Sequence, residues 1–197
     1  MDTDLMLAFK KAGWTDTEIK KLCDDKLLAR LLLLVREYDE TTMATQHIID
    51  CDADPFVPNS FTFTIESHQK GGQFVFDPAN IKLHLSHSQL RGEVIMGNKL
   101  RKELANKHLL NANVLDFLLK NPRIIPEEWK KGANGNFRYI FFWGTIYRDA
   151  RRNLCVRCLF FSNGEWGSSF GWFDDGWDDN SPAAYIDFPA TLSQVRT

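Results

Sequence analysis

The chain has 197 residues, of which 44% are apolar, 25% charged and 13% aromatic, a balance that excludes wholesale disorder. Lys and Arg number 24 against 26 Asp and Glu, a formal net charge of −2, which excludes a generally polybasic nucleic-acid binder. No apolar run approaches the ~20 residues of a spanning helix, and the acidic start Met1-Asp2-Thr3-Asp4 lacks the basic region of a secretory leader, so a cytoplasmic protein without a membrane partner is expected.

Residues 1–40 read as a small helical unit. Leu5, Met6, Ala8, Phe9 and Ala12 recur at helical spacing before Gly13. Thr15-Asp-Thr-Glu18 has the form of a capping box, and a third helix is expected from Asp24-Asp25 to Tyr38. The Thr/Asp-rich stretch 41–59, punctuated by Pro55 and Pro58, reads as a linker. From Phe61 the period changes to two: Phe61, Phe63 and Ile65 alternate with polar residues, Lys70-Gly71-Gly72 offers a hairpin turn, and Gln73–Phe76 and Ile81–Leu85 follow as strands. Two helices come next, one at Lys99–Leu104 and one at Val114–Lys120 capped by Asn113, then a helical turn entered at Pro126.

Fifteen of the twenty-five aromatic residues lie between Phe137 and Phe188. Tyr139–Tyr147 is apolar on both sides, the mark of a central strand covered on both faces. Asp149–Asn153 turns into Leu154–Phe161, and Asn163-Gly164 is a two-residue hairpin signal leading to a strand from Trp166 to Phe173. The expected fold is α+β: the helical unit 1–40, the linker 41–59, and a β-rich body 60–197 whose antiparallel strands stand before and after a central helical pair.

Cys155-Val-Arg-Cys158 has zinc-site and redox spacing, but it lies in a strand reading, where positions i and i+3 point to opposite faces. Neither metal nor disulfide is expected there. The Arg157 side should be the wetter one, making Cys155 the more accessible thiol and Cys158 the more buried.

The runs LNANVLDFLLKNPRIIPEEWK, YIFFWGTIYRD and LCVRCLFF, with NSPAA, resemble a scattered set of small uncharacterised bacterial proteins over roughly residues 60–186. The resemblance implies a bacterial, cytoplasmic domain and carries no activity, cofactor or catalytic residue.

Two classes of function fit. Residues 89–136 hold nine basic and five acidic side chains, while every other segment is net acidic. Lys99, Arg101, Lys102 and Lys107, on or beside the first central helix, could lie along phosphates or an acidic surface, with Trp129 stacking on bases. This gives a non-catalytic binding module for a protein or nucleic acid, with no cofactor. The alternative is a small hydrolase or nuclease using His84 or His87 with Glu66, Asp77 or Glu93 and a divalent ion. Asp174-Asp-Gly-Trp-Asp-Asp-Asn180 could attract a cation, although it lacks the EF-hand register. Trp143, Trp166 and Trp172 could share a stacking face, against the more ordinary use of such residues as core.

Overall fold

The computed structural model describes residues 7, 9–21, 30, 47–58 and 63–187. The chain divides into two compact units, Met1–Gln46 and His47–Thr197. In the first, helix α1 (Asp16–Lys21) opens on the expected capping box. Glu18 accepts the Thr15 amide at 2.8 Å, and Thr15 Oγ1 accepts the Glu18 amide at 3.3 Å. Most of the expected first and third helices, and Cys23, lie outside the described residues.

The second unit is α+β. Its strands are β1 (Ile48–Asp50), β2 (Thr64–His68), β3 (Gln73–Val75), β4 (Ile81–His84), β5 (Ile95–Met96), β6 (His108–Leu109), β7 (Tyr139–Phe141), β8 (Thr145–Arg148), β9 (Leu154–Ser162), β10 (Glu165–Trp172), β11 (Gly176–Trp177) and β12 (Ala183–Ile186). Helices α2 (His87–Leu90), α3 (Gly97–Leu104) and α4 (Ala112–Lys120) lie between β4 and β7. Among the described residues the main sheet runs β2-β8-β9-β7-β12-β4, with β10 on β9 and β6 on β12. All its pairings are antiparallel except β7 with β12.

Strand β9 organises this sheet. Its start pairs with β8, its later part with β7, and residues 155–162 with β10. The β9–β10 hairpin closes at Asn163 and Gly164, both at positive φ (53° and 85°). Such a turn matches the twist of its flanking strands. Side chains alternate, so β9 feeds different clusters on its two faces. Leu159 joins Val114, Leu115, Leu118, Trp129, Ile140 and Phe142 on one side. Val156 and Cys158 join Leu100, Leu104, Phe141, Trp143 and Trp177 on the other.

Several strand expectations are corrected. Residues 70–72 do not join a hairpin: β2 pairs with β8, and β3 pairs with β1. The distant partner wins because it satisfies the polar side chains of β2. Arg148 pairs with Glu66 at 2.7 Å, and Thr145 Oγ1 meets His68 Nδ1 at 2.8 Å. Gly71 and Gly72 instead donate their amides to Asp52 Oδ1 at 3.0 and 2.9 Å. The second half of the expected linker is therefore part of the body, stitched in by β1 and Asp52.

Residues 139–147 form two strands rather than one. From Ile140 to Tyr147 every residue is buried, as a doubly covered strand requires, but the chain bends at Gly144. A Cβ there would lie 2.8 Å from Leu110 O and 2.9 Å from the Asn111 Cα, so only glycine admits this approach. The α4 cap is Asn111, not Asn113, its side chain accepting the Asn113 amide at 3.1 Å. Asn111 Nδ2 also donates to Cys51 O at 2.9 Å and Gln69 O at 3.0 Å.

Cys155 and Cys158 do lie on opposite faces of β9, in separate clusters. The expected difference in accessibility is wrong, however. Their exposures are 0% and 1%, and Arg157 between them is only 3% exposed. The arginine side is dry because Asp116 of α4 reaches down to pair with the guanidinium at 2.8 Å.

Replacing Asn111 with Ala leaves the Gln69 carbonyl without its side-chain donor, takes one of two donors from the Cys51 carbonyl and removes the α4 cap. We expect a loss of about 2–3 kcal/mol in urea denaturation; an unchanged midpoint would show the side chain to be dispensable. Burial pushes both thiols, Cys155 and Cys158, up to about 12. Peptide mapping after alkylation of native protein near neutral pH should find neither modified, and unfolding should expose both. Their folded values lie above the ordinary 9.0, so this contribution to stability is complete below about pH 9 and is lost as pH rises toward about 12. Rapid native labelling of either would contradict the packing.

Candidate functional site

Helix α3 carries the predicted basic residues because its apolar positions fall four apart. Leu100 and Leu104, both at 0% exposure, anchor it among Ile95, Phe141, Trp143, Ile146, Phe173 and Trp177. Its start sits directly on the chain: Gly97 N donates to Phe173 O at 3.0 Å, and a Cβ on Gly97 would come within 2.7 Å of the Phe173 Cα. This registration leaves Lys99, Arg101 and Lys102 exposed on the outer face. The Arg101 guanidinium stands 5.9 Å over the Phe173 ring, and Lys107 Nζ is 4.4 Å from the Tyr185 ring centre. Both cations thus sit against the face of an aromatic ring, which steadies them beside the helix.

Beside α3 opens a cavity of about 600 Å³. Leu104, Leu109, Trp143 and Ile146 make its apolar floor, and Arg101 and Lys102, with Asn98, stand at its rim. The volume is in the range of small-ligand or side-chain pockets. Just before the helix, Val94 and Met96 are 61% and 43% exposed. Basic and apolar exposure therefore adjoin along one stretch of chain.

Other predicted site residues are placed elsewhere. Trp129 is 4% exposed within the core containing Ile140 and Leu159, so it offers no ring to a base. The three tryptophans do not form a shared platform: Trp143 packs with Phe173 and Trp177 in one cluster, Trp166 borders a second and Trp172 a third.

His84 is half-buried and His87 is exposed at the start of α2. Desolvation, reinforced by nearby Lys107, holds the His84 pKa below its ordinary value. The carboxylates assigned to them are engaged elsewhere: Glu66 by Arg148, Asp77 by the Ala79 amide, Glu93 by Arg91. Ser86, between the histidines, is a helix cap, and Gln89 completes its capping box. In the acidic stretch, Asp178 accepts from Asn180 N and Ser181 Oγ, and Asp175 from Trp172 N. Among the described residues no three His, Cys, Asp or Glu side chains are grouped to hold a metal ion.

Two polar clusters were not read from the sequence. Cys51, His68 and Asn111 meet near the start of α4, the three residue types of a thiol hydrolase. Their geometry does not serve that chemistry. His68 Nε2 donates to the Cys51 carbonyl at 3.0 Å, not to its sulfur, and Nδ1 takes the Thr145 hydroxyl. This tautomer follows because the Cys51 carbonyl can only accept, so Nε2 carries the hydrogen and Nδ1 accepts from the Thr145 hydroxyl, whose oxygen also accepts the Ala112 amide at 3.0 Å. Burial pushes the Cys51 thiol up to about 11, opposite to the shift that activates a nucleophile.

The second cluster surrounds Arg157. Its partner Asp116 is 21% exposed, Arg157 Nη2 lies 3.4 Å from Ser168 Oγ, and Arg157 Nη1 is buried without a hydrogen-bond partner among the described residues. Burial works against the Arg157 charge, but the hydrogen bond and charge of Asp116 hold its pKa above the ordinary value. An arginine inside the run Leu154–Phe161 was the available signal, since a buried cation requires an opposite charge nearby.

No protein-family model, curated protein or solved structure matches this chain.

Proposed function

We propose that the protein is a non-catalytic binding module whose α3 face and adjoining cavity receive an acidic protein segment carrying one apolar anchor side chain. The observation that carries this reading is the basic rim of Arg101 and Lys102 over the floor of Leu104, Leu109, Trp143 and Ile146. A desolvated apolar anchor supplies most of the affinity in such an arrangement, and the surrounding charges supply steering and register. A protein partner is favoured over nucleic acid because Trp129 is in the core and the exposed neighbours of α3 are aliphatic, Val94 and Met96. Phosphates would find the lysines, but the aromatic rings beside them are the buried Phe173 and the half-buried Tyr185 already covered by Lys107, which offers a base little stacking surface.

The reading is tested with synthetic acidic peptides bearing a central Leu or Trp, matched peptides bearing Ala there, and a single-stranded RNA oligonucleotide. The Leu or Trp peptides should bind, and affinity should fall with added salt. Changing Lys99, Arg101 and Lys102 together to Glu should weaken binding by about tenfold or more, or ~1.4 kcal/mol. Filling the floor with Leu109→Trp should remove the preference for Leu or Trp over Ala. Equal binding of all peptides, or tighter binding of RNA, would overturn the assignment.

A further inference from the structure

On the opposite face of the sheet, the segment 54–58 rests through Phe56 and Val57 on a cluster of aromatic side chains, whose outer surface we call the aromatic groove. Phe63 stacks on Phe170 with ring centres 4.5 Å apart and meets Tyr147 edge-on at 6.2 Å. Phe170 and Trp172 border the same cluster, and Val57 packs against it. The segment crossing this groove is Asp54-Pro-Phe-Val-Pro58, without regular secondary structure. Each proline fixes its own φ and drives the residue before it, Asp54 or Val57, into extended backbone. The segment is therefore stiff before it docks and loses little entropy on docking.

Its attachment is light for its position. The Tyr147 hydroxyl donates to Phe56 O at 3.1 Å, and the Phe56 ring lies over the Arg157 guanidinium at 5.6 Å. Phe56 nevertheless remains 55% exposed. Beneath it, Arg157 is 3% exposed, and among the described residues its Nη1 has no acceptor in hydrogen-bond geometry, the Tyr147 hydroxyl only standing near the guanidinium. A buried donor without a partner is costly, so the segment leaves part of the groove's binding capacity unused. An aromatic groove, a tyrosine hydroxyl aimed at a backbone carbonyl, and a proline-flanked extended chain together make one recognised mode of peptide binding.

We infer that this groove is a peptide-binding site for an extended, proline-flanked segment bearing an aromatic side chain, and that residues 54–58 occupy it in cis. A partner segment of this chemistry competes with the strap. One that also places an acceptor against Arg157 Nη1 outcompetes it. The cis segment itself shows what the groove accepts, and it lowers the apparent affinity for any outside peptide by the fraction of time it is displaced.

The test uses a synthetic peptide of residues 53–59, titrated into the full chain and followed by calorimetry and by backbone NMR. In wild-type protein at saturating peptide, the signals of Phe56 and Val57 should move toward positions typical of a free chain. Phe56→Ser weakens the strap, and this variant should bind the peptide at least about tenfold more tightly than wild type. Adding Tyr147→Phe should reduce that affinity several-fold, by removal of one hydrogen bond. Val57→Ala serves the same purpose if Phe56→Ser does not fold. Failure of a folded strap variant to bind at millimolar peptide overturns the inference. So does wild-type binding that leaves the strap signals unmoved, or affinity that ignores Tyr147→Phe.

Discussion

The body of the protein depends on a buried chain of hydrogen bonds at the start of α4. The Ala112 amide donates to Thr145 Oγ1, the Thr145 hydroxyl to His68 Nδ1, and His68 Nε2–H to the Cys51 carbonyl. Asn111 supplies a second donor to the same carbonyl and another to Gln69 O, while Asn113 Nδ2 donates to Asp50 O and Ala53 O. Four segments distant in sequence, 50–53, 68–69, 111–113 and 144–145, are thereby fixed to one another. Each buried polar atom has its partner, the condition under which such a network specifies a structure rather than weakening it. The choice of β8 over β3 as the neighbour of β2 follows from this network, since hydrophobic alternation alone serves either pairing.

That dependence explains which parts of the fold could be read from residue order. The Thr15–Glu18 box, the Asn163-Gly164 turn and the Asp149–Asn153 turn are local, each closed by atoms within a few residues. All three are present. The two central helices were legible as short runs between their bounding residues, and both are present. Apart from the two-residue shift of the α4 cap, the failures involve distant partners. Lys70–Gly72 has hairpin chemistry, yet Asp52 claims its amides. Residues 139–147 have the pattern of one strand, yet the Leu110–Asn111 backbone presses on Gly144 and bends it.

The candidate site was half legible for the same reason. Arg101 and Lys102 project from a short amphipathic helix whose polar side is evident from spacing, and they do stand at the rim of the cavity. Its floor was not legible, because Leu109 and the pair Trp143 and Ile146 come from stretches more than thirty residues apart in the chain. Trp129 shows the converse error: its basic neighbours suggested a surface, while the fold placed its ring among Ile140, Phe142 and Leu159. Arg157 was misread because its charge was taken to mean exposure, when an opposite charge on α4 made burial tolerable.

Strand β8 relates the two surfaces. Ile146 lines the cavity beside α3, whereas Tyr147, the next residue, turns its hydroxyl to the Phe56 carbonyl in the aromatic groove. A period of two makes this division unavoidable, since consecutive side chains of a strand point to opposite faces. Thr145 shares the face of Tyr147 and is locked by Ala112 and His68. A one-residue slip of β8 would send Ile146 to the groove, Tyr147 to the cavity and Thr145 out of the polar network. The hydrogen-bond network that denies Cys51 and His68 the geometry of a thiol hydrolase is therefore the same device that aims both proposed binding surfaces. Its residues belong to positioning, which is why they resemble a catalytic set in type but not in geometry.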